Sequence, residues 1–335
     1  MHKFLLASLI LLCVSASYAQ KIQPADMKVL RKKEDSLKVL AVKIIQGETS
    51  AERFSADSQF TKIFVRALKV NNSFHYRFDS LISISKLSPP DSSFKIFTWQ
   101  MIINDNVVRQ HGAIQMRTSD GSLKLFPLID KSGVTVEPED TVANNYGWIG
   151  AVYYTLIQKD AGARRFYTLL GFDEFGGESN KKIIEVLRFE NGEPIFGGPY
   201  FSMPGGSFTT QVKKRFIMEY KKNASPRLIY DADQDLIVFG HLVSETGEIQ
   251  RRSSYIPDGE YDGLKWMAGQ WVQIRDVGPS KSDTRRQVPV PIRDENGNID
   301  DSKLKDNSPV DAAVTDSIPP QPQRHKVTKR HKENP

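Results

Sequence analysis

The sequence predicts an α+β protein, mainly β, in which N-terminal helices pack on an antiparallel β-meander forming a sandwich or a partly closed barrel, followed by a disordered C-terminal tail. Three observations predict it. Apolar residues recur at steps of three and four up to about Leu68. After Pro89-Pro90 they alternate with polar ones in short runs broken by turn residues. After Gly278 they become sparse and prolines multiply. The implied divisions are a signal peptide over 1–19, a helical region over 20–90, an antiparallel β domain over 91–277 and a Pro-rich basic tail over 278–335.

The first nineteen residues read as an export signal. His2 and Lys3 give a basic start, Phe4 to Val14 form an apolar run, and Ser17 and Ala19 are small residues placed for cleavage before Gln20. A membrane-spanning helix needs about 20 apolar residues, more than this run supplies. No transmembrane span is expected after cleavage. The chain has one cysteine, Cys13, and it lies in the apolar run. The mature chain is therefore cysteine-free. That excludes disulfides, thiolate zinc sites, iron-sulfur clusters and a cysteine nucleophile. Lipid attachment at Cys13 is disfavoured by Leu12, which stands where a small residue is expected.

A first helix runs from Asp26 to Gln46 with Val29, Leu30, Leu37, Leu40, Ala41, Ile44 and Ile45 on its apolar stripe and Gly47 as its C-cap. A second carries Phe60, Ile63, Phe64, Ala67 and Leu68, with Ser50 as N-cap. Stripes of this kind are core faces far more often than membrane or partner surfaces. Strands follow at Phe94–Asn104, Val107–Arg117 and Ser122–Leu128, joined by turns at Asp105-Asn106 and Ser119-Asp120-Gly121. Further strands are Trp148–Gln158, Arg165–Phe172, Lys181–Glu190, Pro194–Phe196, Phe208–Tyr220, Arg227–Tyr230, Leu236–Val243 and Leu264–Ile274. A faint echo links Arg165-Phe166 through Ile195-Phe196-Gly197 with Arg215-Phe216 through Val238-Phe239-Gly240, and is read as successive hairpins rather than propeller blades.

The run Tyr255-Ile256-Pro257-Asp258-Gly259-Glu260-Tyr261-Asp262-Gly263, with Trp266, Gly269-Gln270-Trp271 and Asp235 to Leu242, resembles an uncharacterised group of exported bacterial β-rich proteins. The resemblance covers about forty residues. It implies a bacterial exported setting, in periplasm, cell surface or medium, and brings no activity with it.

Three clusters are candidates for chemistry. Asp173, Glu174 and Glu178 sit in a glycine-rich stretch, where close carboxylates can divide acid and base roles as polymer hydrolysis requires; the plainer reading is an acidic hairpin loop. Asp231, Asp233 and Asp235 alternate as calcium ligands do, but Gln234 stands where a loop glycine is expected and a strand begins at once, so a polar turn is preferred, with calcium the one cofactor left open. Trp148, Tyr153, Tyr154, Tyr167, Trp266 and Trp271 are candidates for an aromatic binding platform, against the commoner role of core and cross-strand rings. No His-Glu-x-x-His pair or Gly-x-Ser-x-Gly elbow occurs.

The net charge of +6 falls by one when Lys3 leaves with the signal. The excess is concentrated at the end, where Arg324, Lys326, Lys329, Arg330 and Lys332 face Glu333 alone among the last residues. Such a cluster can attract anionic polymers or surfaces in low salt, against the plainer reading of a solvated terminus that binds nothing in particular. Export argues against nucleic acid. The expectation is a non-enzymatic binding or assembly protein whose partner is an envelope protein or an anionic polymer; the alternative is a metal-independent hydrolase acting through the loop carboxylates.

Overall fold

The computed structural model describes residues 21–104, 106–174, 176–204 and 209–278. The expected signal peptide, the mature start at Gln20 and the tail beyond Gly278 with its basic cluster lie outside them.

Two helices open the fold, α1 (Pro24–Gln46) and α2 (Ser50–Leu68). Pro24 supplies the fixed φ that suits a first turn. Gly47 does end α1, but with extended backbone rather than the left-handed cap expected of it; its need is steric, because a Cβ there would stand 2.8 Å from the Lys43 carbonyl. The N-cap of α2 is Thr49, one residue earlier than expected, whose Oγ1 accepts from the Glu52 amide at 3.2 Å. Ser50 instead donates to the Ile103 carbonyl at 2.6 Å, fastening the helix to the sheet below.

The fold is α+β and mainly β, with the N-terminal helices on an unclosed sheet; among the described residues sixteen strands form three sheets, the expected meander of three strands lying in the first. The first has the order β1-β2-β3-β4, from Ser85–Leu87, Phe94–Asn104, Val107–Met116 and Lys124–Ile129. The second has the order β5-β9-β8-β7-β6, from Ala143–Asn144, Glu193–Phe196, Ser179–Glu190, Arg164–Asp173 and Val152–Ala161, and β12 (Phe216–Lys221) pairs with the first half of β8. The third has the order β11-β10-β16-β15-β14-β13, from Thr210–Lys213, Phe201–Pro204, Gln270–Ile274, Tyr255–Met267, Leu236–Ser244 and Leu228–Asp231. All strand pairs are antiparallel except β10 with β16. None of the sheets closes into a barrel.

The stacking order follows from which face of each strand is apolar. On β2, Phe97, Trp99 and Met101 point to the helices and join Leu30, Leu37, Phe60 and Phe64 in one core. Phe94 and Ile96 point the other way, against Trp148, Tyr153, Leu169, Ile183 and Leu187 of the second sheet. The far side of that sheet, with Phe166, Leu170, Ile184 and Val186, packs on Phe201, Ile237, Phe239, Leu264 and Trp271 of the third. The molecule is thus four layers, helices and then three sheets, with β2 and β7 buried on both faces. Burial on both faces explains why these strands read as near-continuous apolar runs rather than strict alternation.

The segment expected as one strand over Phe208–Tyr220 divides: β11 joins the third sheet and β12 the second. The internal echo does not survive this division, because its first copy lies within the second sheet and its second copy spans two sheets. Leu264–Ile274 is likewise a hairpin, turning at Ala268-Gly269 with both residues at positive φ. The first half of β15 was hidden by Pro257, Gly259 and Gly263. Up to Glu260 that stretch pairs with β14 alone, since β16 pairs with β15 only from Gly263 onward, and an unpartnered edge tolerates Pro257 and Gly259.

Candidate functional site

A groove of about 650 Å³ lies between the second and third sheets. One wall is β12, backed by the 3-10 turn Pro138–Asp140; the other is β14 and β15. Met203, Phe216, Met218, Phe239 and Leu242 make its floor. Ile217, Glu219 and His241 line the groove as well, and a register shift in β14 between Gly240 and Leu242 lets Phe239 and Leu242 both contribute to its floor. Two methionines in the floor give it an adaptable surface.

The rim is charged and largely self-paired. Lys213 Nζ meets Glu139 Oε2 at 2.8 Å, and Lys181 Nζ meets Glu219 Oε2 at 3.7 Å. Asp262 accepts from Gln273 Nε2 at 2.7 Å and from the Asp276 amide at 3.2 Å. Arg252 lies over the Tyr255 ring, 5.0 Å from its centre. Acids outnumber bases: Glu137, Glu139, Asp140, Glu219 and Asp262 stand against Lys181, Lys213 and Arg252.

The wall formed by the 3-10 turn is pinned from beneath. The Glu139 carbonyl accepts from the amides of Lys214 and Arg215 at 2.9 and 3.1 Å, and its carboxylate accepts from the Ile217 amide at 3.2 Å. The Arg215 guanidinium bonds the carbonyls of Pro138 and Thr141. One edge of the groove is therefore fixed to the centre of the second sheet.

The three loop carboxylates do not converge. Glu178 is exposed and accepts from Ser253 Oγ at 3.3 Å. Asp173 and Glu174 turn inward instead and clasp the first sheet to the second. Gln100 and Gln110 face each other across β2 and β3. Gln110 Nε2 donates to Asp173 Oδ1 at 2.8 Å, and Gln100 Nε2 donates to Glu174 Oε2 at 3.2 Å. Lys222 reaches Glu174 Oε1 at 3.1 Å. Burial raises Asp173 to about 7; the Gln110 bond opposes this, the Asp130 charge adds to it, Lys181 opposes and Glu174 adds. Asp173 also lines a smaller cavity of about 350 Å³ with Asp130 and Arg109. Asp130 accepts from Ser132 Oγ at 2.7 Å and from the amides of Gln110, Ser132 and Gly150. Gly150 is required there, since a Cβ would meet Gln110 and Asp130 at 2.5 and 2.6 Å.

Asp231, Asp233 and Asp235 also diverge. Asp231 Oδ1 accepts from the amides of Asp233 and Gln234, which makes it the acceptor that closes a turn. Asp235 binds Lys159 and the Tyr230 hydroxyl. The described His, Asp and Glu donors that do converge are His241, Asp258 and Glu260, whose ligand atoms lie within 4.8 Å of one another. His241 Nδ1 is 2.6 Å from Asp258 Oδ2, and this bond raises the imidazole pKa. The pair joins β14 to β15 across seventeen positions, a contact that no local spacing announces.

The aromatic candidates are core residues. Trp148, Tyr153 and Trp271 have no exposed surface, and Tyr154 and Tyr167 are buried. Trp148 Nε1 donates to the Tyr153 hydroxyl at 2.7 Å, and Trp271 Nε1 donates to Thr168 Oγ1 at 2.8 Å. Trp266 is partly exposed and packs edge-on against Trp271. Rings enclosed in this way offer no face to a sugar, so the platform reading has no support from Trp148, Tyr153 or Trp271.

Comparison with protein-family models, with curated proteins and with solved structures finds no match to this chain. No described helix is long and apolar enough to cross a membrane.

Proposed function

We propose that this is an exported, non-enzymatic binding protein of the bacterial envelope, whose groove between β12 and the β14–β15 hairpin receives an extended apolar segment of another envelope protein. The observation that carries the reading is the groove itself, a floor of five apolar side chains inside a charged rim with more acids than bases. An apolar floor rewards burial, and a charged rim sets orientation. The acidic excess favours an occupant flanked by basic residues. Export rests on the leader over 1–19, and intact-mass measurement of material recovered from the producing cells tests it: the expected chain begins at Gln20.

Titration with the neutral dye N-phenylnaphthylamine tests the groove. Dye fluorescence should rise on addition of protein and be lost in Leu242→Asp, while the distant exposed substitution Val39→Asp leaves it unchanged. Equal dye binding in both variants and the parent would remove the groove as the binding site.

A second reading has one observation in its favour. The Asp173 carboxyl, raised to about 7 by burial, lines the same cavity as Asp130, and two carboxyls on one cavity suit polymer hydrolysis. Under that reading Asp173→Asn abolishes turnover of a polysaccharide; under the binding reading it changes stability alone.

A further inference from the structure

The chain leaves the described fold beside the groove. The Asp276 amide donates to Asp262 Oδ1, Val277 N donates to the Tyr261 carbonyl at 2.9 Å, and Asp262 and Gln273 are themselves groove-lining. The residues that follow contain one stretch in which apolar side chains alternate, Val288-Pro289-Val290-Pro291-Ile292, bracketed by Arg285, Arg286 and Arg293.

We propose that this stretch docks in the groove of its own chain, so that the tail occupies the binding site until a partner displaces it. The inference rests on the groove being that site. Three features support it. First, reach: Val288 stands ten positions after Gly278, a span of up to roughly 33 Å at about 3.3 Å per residue, while the exit point adjoins the groove wall. Second, shape: in an extended chain, alternate residues share one face, so Val288, Val290 and Ile292 together meet the floor formed by Phe216, Met218, Phe239 and Leu242. The intervening prolines bring no backbone donor that would go unpaired on an apolar floor. Third, charge: Arg285 and Arg286 precede the stretch, while Asp294 and Glu295 follow Arg293, so the basic flank is the leading one, and the rim is net acidic. Partner binding is then a competition, and the apparent affinity of a partner is reduced by the fraction of grooves already filled.

The test uses the full chain with Cys13→Ser, so that introduced thiols are the only ones present. His241→Cys marks the exposed rim and Val290→Cys marks the tail. Mild oxidation should give a monomeric, disulfide-closed chain, and adding Val288→Asp with Ile292→Asp should slow closure by roughly tenfold, because docking rather than tethering sets the effective concentration. Equal closure rates with and without the aspartates would reduce the effect to tethering and overturn the proposal. Failure to close, or closure only between chains, would also overturn it. N-phenylnaphthylamine separates this failure from that of the groove reading. Dye binding that rises in Val288→Asp/Ile292→Asp supports docking. Strong dye binding equal in that variant and the parent removes the tail alone, and none in either removes the groove.

Discussion

Arg215 donates its Nε–H to Glu185 Oε2 at 2.7 Å, and neither side chain has exposed surface. Glu185 lies mid-way along β8; Arg215 stands just before β12, where the chain enters the second sheet beside it. The Tyr153 hydroxyl donates to the other Glu185 oxygen, and Trp148 donates to that hydroxyl. The remaining guanidinium bonds run to Pro138 and Thr141, so a charge pair in the core carries the groove wall.

Removing one member leaves the other charged and buried. Arg215→Met and Glu185→Leu should each lower stability by about 3–5 kcal/mol, the range for breaking a buried pair. The double variant should lose much less than the sum of the two. Urea unfolding of the four proteins measures the coupling directly, and additive losses would show that the pair is not an energetic unit.

Legibility in the sequence followed the range of the interaction. Helix stripes and hairpin turns are local, so α1, β2, β3 and the Asn191-Gly192 turn, whose φ angles are +52° and +79°, were readable residue by residue. The division into three sheets was not, because β11 and β12 are separated by two residues and their different partners are set by tertiary packing. The same limit applied to the sites. Asp173 and Glu174 were visible as acids, but their inward turn depends on Gln100 and Gln110, two glutamines from strands far earlier in the chain. The groove was invisible, since its floor draws on β10, β12 and β14. One signal was available: Phe216, Met218 and Tyr220 alternate just after an arginine, a pattern that leaves apolar residues on one face of an edge strand.

Asp173 gives a pH dependence of definite sign. Its carboxyl is raised in the fold, to about 7 from an ordinary 3.8, so the fold holds a proton that the unfolded chain releases. Its contribution is full below pH 3.8 and is lost as pH rises through about 7. Asp173→Asn keeps an oxygen for Gln110 and removes the titration. Melting temperatures of parent and variant should therefore diverge between pH 4 and about 7, the variant gaining, and run parallel above. Parallel curves throughout would mean that Asp173 is ionised in the fold at all of these values.

His111 should act in the opposite sense. Its ring stacks on Trp99, and Nδ1 is 3.7 Å from Asp57 Oδ2. Burial holds the imidazole below its ordinary 6.5 despite the pull of Asp57, and Arg109 adds to the lowering. The folded state thus takes up a proton less readily than the unfolded chain. Stability is full above pH 6.5 and falls as pH drops through the lowered value. His111→Gln should flatten this acid limb, read as a smaller fall in melting temperature from pH 7 to 5. An unchanged limb would place the acid sensitivity elsewhere.

Calcium should leave the Asp231 turn untouched. Six to eight oxygen ligands are needed around the ion, whereas Asp231 is engaged by the amides of its own turn and Asp235 by Lys159 and Tyr230. Asp233 is exposed and contributes its amide to that turn. A ligand bound only by the folded state raises the melting temperature by mass action. With calcium at about millimolar concentration, the range of weak extracellular sites, the parent and Asp233→Ala should melt at the same temperature as without it. A rise in the parent that disappears in Asp233→Ala would require the three aspartates to rearrange around the ion, breaking the Lys159–Asp235 pair. In that case Lys159→Met, which frees Asp235 in advance, should increase the calcium response.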